Sequence, residues 1–138
     1  MAFTGNFTCD SFKAGLPLAQ FNFDGSQTYK IALYTNSATL NAQTLAYTTD
    51  GEISGSGYVA GGEILTPTEG FANGVSFITF ANVSWTGSFT VRGALIYKSG
   101  GGNPAVCVLD FGSDKTSNTT FTVQFPAATN TSALIRLS

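Results

Sequence analysis

The feature that most constrains this chain is the rhythm of its apolar residues. Short runs of β-branched and aromatic side chains alternate with polar ones and are cut repeatedly by Gly, Asn or Asp. The longest run, 88–98 (SFTVRGALIYK), places Phe89, Val91, Leu95 and Tyr97 on one face and Thr90 and Arg92 on the other. Gly93 interrupts the inward set, which predicts a bulge or the close approach of another backbone. Further strands are expected at 28–35 (TYKIALYT), 63–68, 75–80, 105–111, 119–125 and 133–137, the last facing inward through Ala133, Ile135 and Leu137. Asn73-Gly74 reads as the turn of a hairpin joining 63–68 to 75–80, and Pro67 favours an edge position. Turns are also expected at Asp24-Gly25, at the glycine tip 99–103 and at 113–118. The only helix signal lies at 8–15, where Thr8 offers a cap, Asp10 sits in the first turn and Phe7 and Phe12 hold the staple positions. Gly15 and Pro17 then stop it.

About seven to eight short strands with one short N-terminal helix imply an all-β fold, an antiparallel β-sandwich, with barrel closure as the alternative. A length of 138 residues is one domain, 1–138, in which 1–6 form an N-terminal arm and 36–62 a long loop without periodicity. A loop of that length in a compact domain is either functional or packed as a surface flap.

Composition narrows the chemistry. Histidine is absent, which removes imidazole bases, Ser-His-Asp and Cys-His pairs and most zinc ligand sets. Six Lys and Arg face eight Asp and Glu, a net charge of −2, so no basic footprint for nucleic acid exists. The longest clearly apolar run, 105–109, is far short of the roughly 20 residues that cross a bilayer, and the start lacks the pattern of a secretory signal. Cys9 and Cys107 are expected to be free thiols, and four Asn-x-Ser/Thr sequons, at Asn6, Asn82, Asn118 and Asn130, carry little weight in so Asn-, Ser- and Thr-rich a chain. No catalytic, metal or cofactor site is expected.

Several motifs invite a sharper reading. Asp110-Phe111-Gly112 spells a kinase magnesium triplet without the other kinase elements, so it reads as a strand end entering a turn. The 55–61 stretch (GSGYVAG) imitates a dinucleotide loop with its third glycine one place late, and reads as a flexible loop. Asp50, Glu52 and Glu63 are candidate partners for a calcium ion or a hydrolytic pair, against a simpler reading as solvated acids. Trp85, Tyr47, Tyr58 and Tyr97 offer flat faces for sugar stacking, with core packing as the competing reading for Trp85. Phe7 and Phe12 serve either as a packed lid or as an arm docking on a neighbour.

The blocks Phe3-Thr-Gly-Asn-Phe-Thr-Cys-Asp-Ser-Phe-Lys13, Tyr29-Lys-Ile-Ala-Leu-Tyr-Thr35, Gly51-Glu-Ile-Ser-Gly-Ser-Gly-Tyr58, Arg92-Gly-Ala-Leu-Ile-Tyr97, Val108-Leu-Asp-Phe-Gly-Ser-Asp114 and Ala133-Leu-Ile-Arg-Leu137 follow one another in order. Together they resemble a family of small tailed-bacteriophage virion structural proteins. The resemblance covers nearly the whole chain and implies a non-enzymatic role in the particle, made in the host cytoplasm and assembled into the virion. Head decoration, as a capsid cement-like clamp, fits the size best. The expected partners are the major capsid protein or other virion proteins and further copies of the chain, with a trimer favoured, and neither nucleic acid nor membrane. A neck, tail or fibre component carrying a carbohydrate- or host-binding sandwich is the alternative. Interface residues expected on this reading are Phe3, Phe7, Phe12, Tyr47 and Tyr58, presented by the arm and the 36–62 loop.

Overall fold

The computed structural model describes residue 3 and residues 6–137. It is mostly β, with 47% strand and 5% helix, and its sheets are antiparallel. In chain order the elements are β1 (Phe7–Thr8), α1 (Asp10–Gly15), β2 (Tyr29–Tyr34), β3 (Glu63–Leu65), β4 (Pro67–Ala72), β5 (Val75–Phe80), β6 (Val83–Thr86), β7 (Phe89–Lys98), β8 (Ala105–Ser117), β9 (Thr120–Val123) and β10 (Ile135–Leu137). They form a five-stranded sheet β1-β8-β7-β2-β3, a three-stranded sheet β10-β5-β4 and a β6-β9 pair.

The five-stranded sheet is apolar on both faces. On its first face Tyr29, Ile31, Leu33, Val91, Ala94 and Ile96 pack against Ile78, Phe80, Trp85, Val123 and Ile135 from the smaller sheets. On its second face Ala32, Tyr34, Leu95, Tyr97, Ala105 and Val108 pack against Phe3, Cys9, Ala38 and Leu40. Five of the six β2 residues are therefore buried, and its sequence runs apolar instead of alternating cleanly.

The bulge expected at Gly93 is present, and it changes which residues face which way. Val91 lies opposite Lys115 but Gly93 lies opposite Asp110, so residues 111–114 loop out across from Arg92. The break inverts the alternation. Phe89 and Val91 point to the first face, whereas Leu95 and Tyr97 point to the second, correcting the single face expected for all four. Gly93 has no room for a side chain, since a Cβ would collide with the Phe3 ring and lie 2.6 Å from the Leu109 carbonyl oxygen. Phe3 fills the space that residue 93 leaves open, and the Arg92 guanidinium sits 5.7 Å over its ring while pairing with Asp110 at 3.0 Å.

Other boundaries shift for local reasons. The Asp110-Phe111-Gly112 triplet does not end its strand: Gly112 takes φ 84 and donates its N–H to the Asp110 carboxylate at 2.8 Å, after which β8 continues to Ser117. The turn expected at 113–118 is therefore strand for most of its length. The helix begins at Asp10 with Cys9 as its cap residue and no side-chain cap bond, because Thr8 is drawn into β1 opposite Cys107. Phe7 and Phe12 do not staple it, since they pack on opposite faces of the sheet. The 63–68 segment is split between β3 and β4, which belong to different sheets. The β4–β5 hairpin turns at Asn73 and Gly74, both at positive φ (51 and 79), as a two-residue turn requires. The last strand starts at Ile135, with Ala133 and Ile135 buried and Leu137 41% exposed.

Cys9 and Cys107 are free thiols that pack in different clusters, on opposite faces of the sheet. Burial, aided by the neighbouring Asp10, pushes the Cys9 thiol up to about 12, and burial likewise raises Cys107. Neither should react with a thiol reagent at pH 8 in the folded protein, and both should react once it is unfolded, as counted by mass spectrometry. A Gly93→Ala substitution should destabilise the fold by about 1–3 kcal/mol through overpacking against Phe3, read as a lowered denaturant midpoint.

Candidate functional site

Residues 36–62 contain no regular strand, yet they cover the second face of the central sheet. Leaving β2, the chain crosses to the start of β8, where Tyr47 donates its N–H to the Asn103 carbonyl (2.9 Å) and Ala105 donates to Leu45 (3.0 Å). It also accepts the Asp10 N–H at Ala42, 2.7 Å away. Returning, the 51–53 segment lies along β2 beyond the end of β3. There Thr35 donates to Gly51 (2.8 Å) and Ile53 to Leu33 (3.0 Å). Farther on, Ser88 donates to Ser56 at 3.2 Å. Gly57 and Gly62 sit so close to the Thr86 and Ile31 carbonyls that any Cβ would overlap them. The GSGYVAG stretch is thus tied down at both ends, correcting the expectation of a flexible loop.

The centre of this strap is Glu52. Its carboxylate accepts hydrogen bonds from the Tyr47 hydroxyl (2.6 Å), the Tyr58 hydroxyl and the Gly61 N–H (2.8 Å). Tyr58 in turn accepts the Leu33 N–H at 3.1 Å, which joins the carboxylate to β2. Tyr97 donates to the Gly61 carbonyl and Tyr34 to the Thr48 carbonyl, each at 2.7 Å. Tyr47 stacks on Tyr97 with ring centroids 4.7 Å apart. Four tyrosines from the sheet and the strap therefore satisfy backbone and carboxylate groups that the irregular segment would otherwise bury unpaired.

Electrostatics follow from that burial. Desolvation, followed by the Glu52 charge, holds Tyr97 at about 12 against an ordinary value of 10.0. Desolvation, with the Asp24 charge beyond it, places Tyr29 on the other face at about 12 as well. Tyr34, Tyr47 and Tyr58 are raised further, first by desolvation and then by Glu52.

The expected interface residues are distributed differently from their predicted role. Phe3 is 1% exposed and Phe12 is fully buried, so neither is available as an anchor on a neighbour without leaving the core. Tyr58, 9% exposed, holds Glu52. Phe7 and Tyr47 are half-buried against the second cluster. Of the expected 1–6 arm, Met1, Ala2, Thr4 and Gly5 lie outside the described residues. The strap itself is packed on the sheet as a surface flap, one of the two forms expected for it.

Other candidate chemistry resolves in the same way. Asp50 and Glu63 are exposed while Glu52 is engaged by phenols, and among the described residues no group of three or more His, Cys, Asp or Glu could hold a metal ion. Trp85 is 2% exposed and tilts against Tyr58 and Phe121, so Trp85, Tyr47 and Tyr58 share no solvent-facing platform for a sugar. No family model matches the chain, and it matches none of the curated proteins or solved structures compared with it.

Replacing Glu52 by Ala strands two hydroxyls and one N–H, and should cost about 2–3 kcal/mol, with hydrogen exchange accelerated first at Ile53 and Gly61. Tyr58→Phe should cost about 1–2 kcal/mol because the Leu33 N–H loses its acceptor. Raised tyrosine values also set an alkaline limit. The unfolded chain ionises its tyrosines near 10 while the folded chain keeps them neutral, so their stabilising effect is complete below pH 10. It should fall away as pH rises from 10 to about 12, seen as a melting temperature that is level to pH 9 and then declines.

Proposed function

We propose that the chain is a non-enzymatic structural protein of a tailed-bacteriophage particle, a decoration or cement protein that binds the head shell and stabilises it. The observation that carries this reading is the ordered series of blocks from Phe3 to Leu137, which spans nearly the whole chain and resembles small virion proteins. The fold is suited to the task. A shell-binding module has to keep its shape while many copies engage a symmetric lattice, where effective concentration multiplies a modest contact. Here a central sheet covered on both faces supplies that shape, and the tyrosine and Glu52 network fastens the longest irregular segment to it.

The partners on this reading are the major capsid protein and further copies of the chain, assembled as a trimer. Contacts with the shell then fall to residues that the core leaves outside. On the strap these are Leu45 and Val59, 61% and 73% exposed, which take the place of Phe3 and Tyr58 as the apolar anchors. A sugar-binding module is not proposed, because the aromatic residues that would form it are spent on the core.

A specific lattice contact should bury about 1,200 Å² or more in total. Cryo-electron microscopy of intact particles should show the sandwich on the outer surface of the head, and Val59→Asp should lower its occupancy without changing the melting temperature of the isolated protein. Density confined to the neck or tail, or undiminished occupancy by both Val59→Asp and Leu45→Asp, would overturn the assignment.

A further inference from the structure

The β4–β5 hairpin carries an apolar knob. Phe71, near its tip, is 74% exposed, more than any other large apolar side chain among the described residues. Residues two apart on a strand share a face, so Glu69 points to the same side of the hairpin as Phe71. Elsewhere on the molecule β8 and β9 leave an open cleft of about 380 Å³ lined by Phe111, Phe121 and Val123, with Lys115 among its walls.

Knob and cleft have complementary chemistry. The chain has only six Lys and Arg, and most are engaged internally: Lys13 with Asp10, Arg92 with Asp110, Lys98 with the Gln20 carbonyl and Arg136 with the Thr131 carbonyl. Lys30, on β2, and Lys115 have no such partner among the described residues, and of the two only Lys115 lines the cleft; Glu69 has none either. An apolar knob flanked by an unpaired carboxylate therefore faces the counterpart of an apolar cleft flanked by an unpaired ammonium group.

Within one copy the two features belong to different sheets. Phe125, just past the end of β9, packs edge-on against Phe80 at 5.5 Å, and Phe80 pairs with Pro67 at the far end of β4. Phe71 lies four residues farther along, about 13 Å at about 3.3 Å per residue. We propose that Phe71 inserts into the Phe111, Phe121 and Val123 cleft of a second copy of this chain, with Glu69 paired to that copy's Lys115. The contact is head-to-tail, each copy giving its hairpin and receiving another, so it closes into a ring or continues as a filament. A three-membered ring is the form that agrees with the proposed trimer, and the inference deepens that part of the proposed function.

Sedimentation velocity over a concentration series of the full chain tests it without any particle, so its failure and that of the head assignment are distinguishable. The wild-type chain should self-associate. Phe71→Asp should weaken association by about 30-fold or more, as expected for an aromatic anchor, with its melting temperature unchanged. Lys115→Glu should weaken it by about fivefold, and the Glu69→Lys, Lys115→Glu double variant should recover most of that loss. The swap keeps the test decisive should Phe71→Asp fold poorly. A wild-type chain that stays monomeric, or association unchanged by both Phe71→Asp and Lys115→Glu, would overturn the proposal. Self-association that survives Phe71→Asp while capsid binding is lost would likewise overturn it, because the hairpin would then dock on the shell.

Discussion

Burial of both faces of one sheet is the constraint on which the rest of the structure depends. Strands β2 and β7 carry apolar side chains to either side, so two separate covers are needed. The smaller sheets provide one by ordinary sheet packing. The other comes from a segment with no ladder of its own, whose backbone groups have to find partners outside regular structure. Tyrosine suits this position, since its ring adds to the apolar layer while its hydroxyl reaches a carbonyl or a carboxylate at the layer's edge. Glu52 then acts as the common acceptor. A carboxylate with three donors, and no cation among the described residues, holds the strap by hydrogen bonds, which fits a chain with so few positive charges.

The second determinant is the break in register at Arg92 and Gly93. Without it, the apolar residues at 89, 91, 95 and 97 would all face one side, and the strap would meet a poorer surface. The irregularity at Arg92 and Gly93 turns Leu95 and Tyr97 toward the strap, and Tyr97 is the residue on which Tyr47 stacks. Phe3, Gly93, Arg92 and Asp110 thus act on the strap from a distance, through the parity of β7. The same irregularity places Phe111 beside Phe121, 5.8 Å between centroids, and opens the cleft that contains Lys115.

Regular pairing was legible in the sequence wherever one strand followed another through a short turn. The Asn73-Gly74 hairpin, the edge position of β4 and the long β7 run all follow from alternation and turn chemistry. Features that depend on residues far apart in the chain were not. The role of Glu52 requires Tyr47, Tyr58 and Gly61 to converge, and in the sequence it is one of eight scattered acids. Phe3 resembled a loose anchor because its receptor, a glycine ninety residues away, shows only as a gap in a strand pattern. β6 was missed because Val83–Thr86 is too short to display a period, and Thr8 because capping and strand pairing compete for one residue and pairing with Cys107 prevails.

Exposure gains meaning against such a demanding core. A chain that covers two sheet faces and draws even its N-terminal Phe3 inward leaves few large apolar side chains outside, Leu18 and Leu137 among them. Leu45 and Val59 lie on the strap, Ile64 on an edge strand and Phe71 on a hairpin near its tip. Isolated exposed residues of this kind are common on soluble proteins and need no explanation singly. Phe71 differs in having a matching surface on the same chain and a carboxylate where that surface has an ammonium group. Glu69 and Lys115 are both exposed and cost a monomer little, because water solvates them, so what the pair adds on assembly is the register of the Phe71 contact more than its strength.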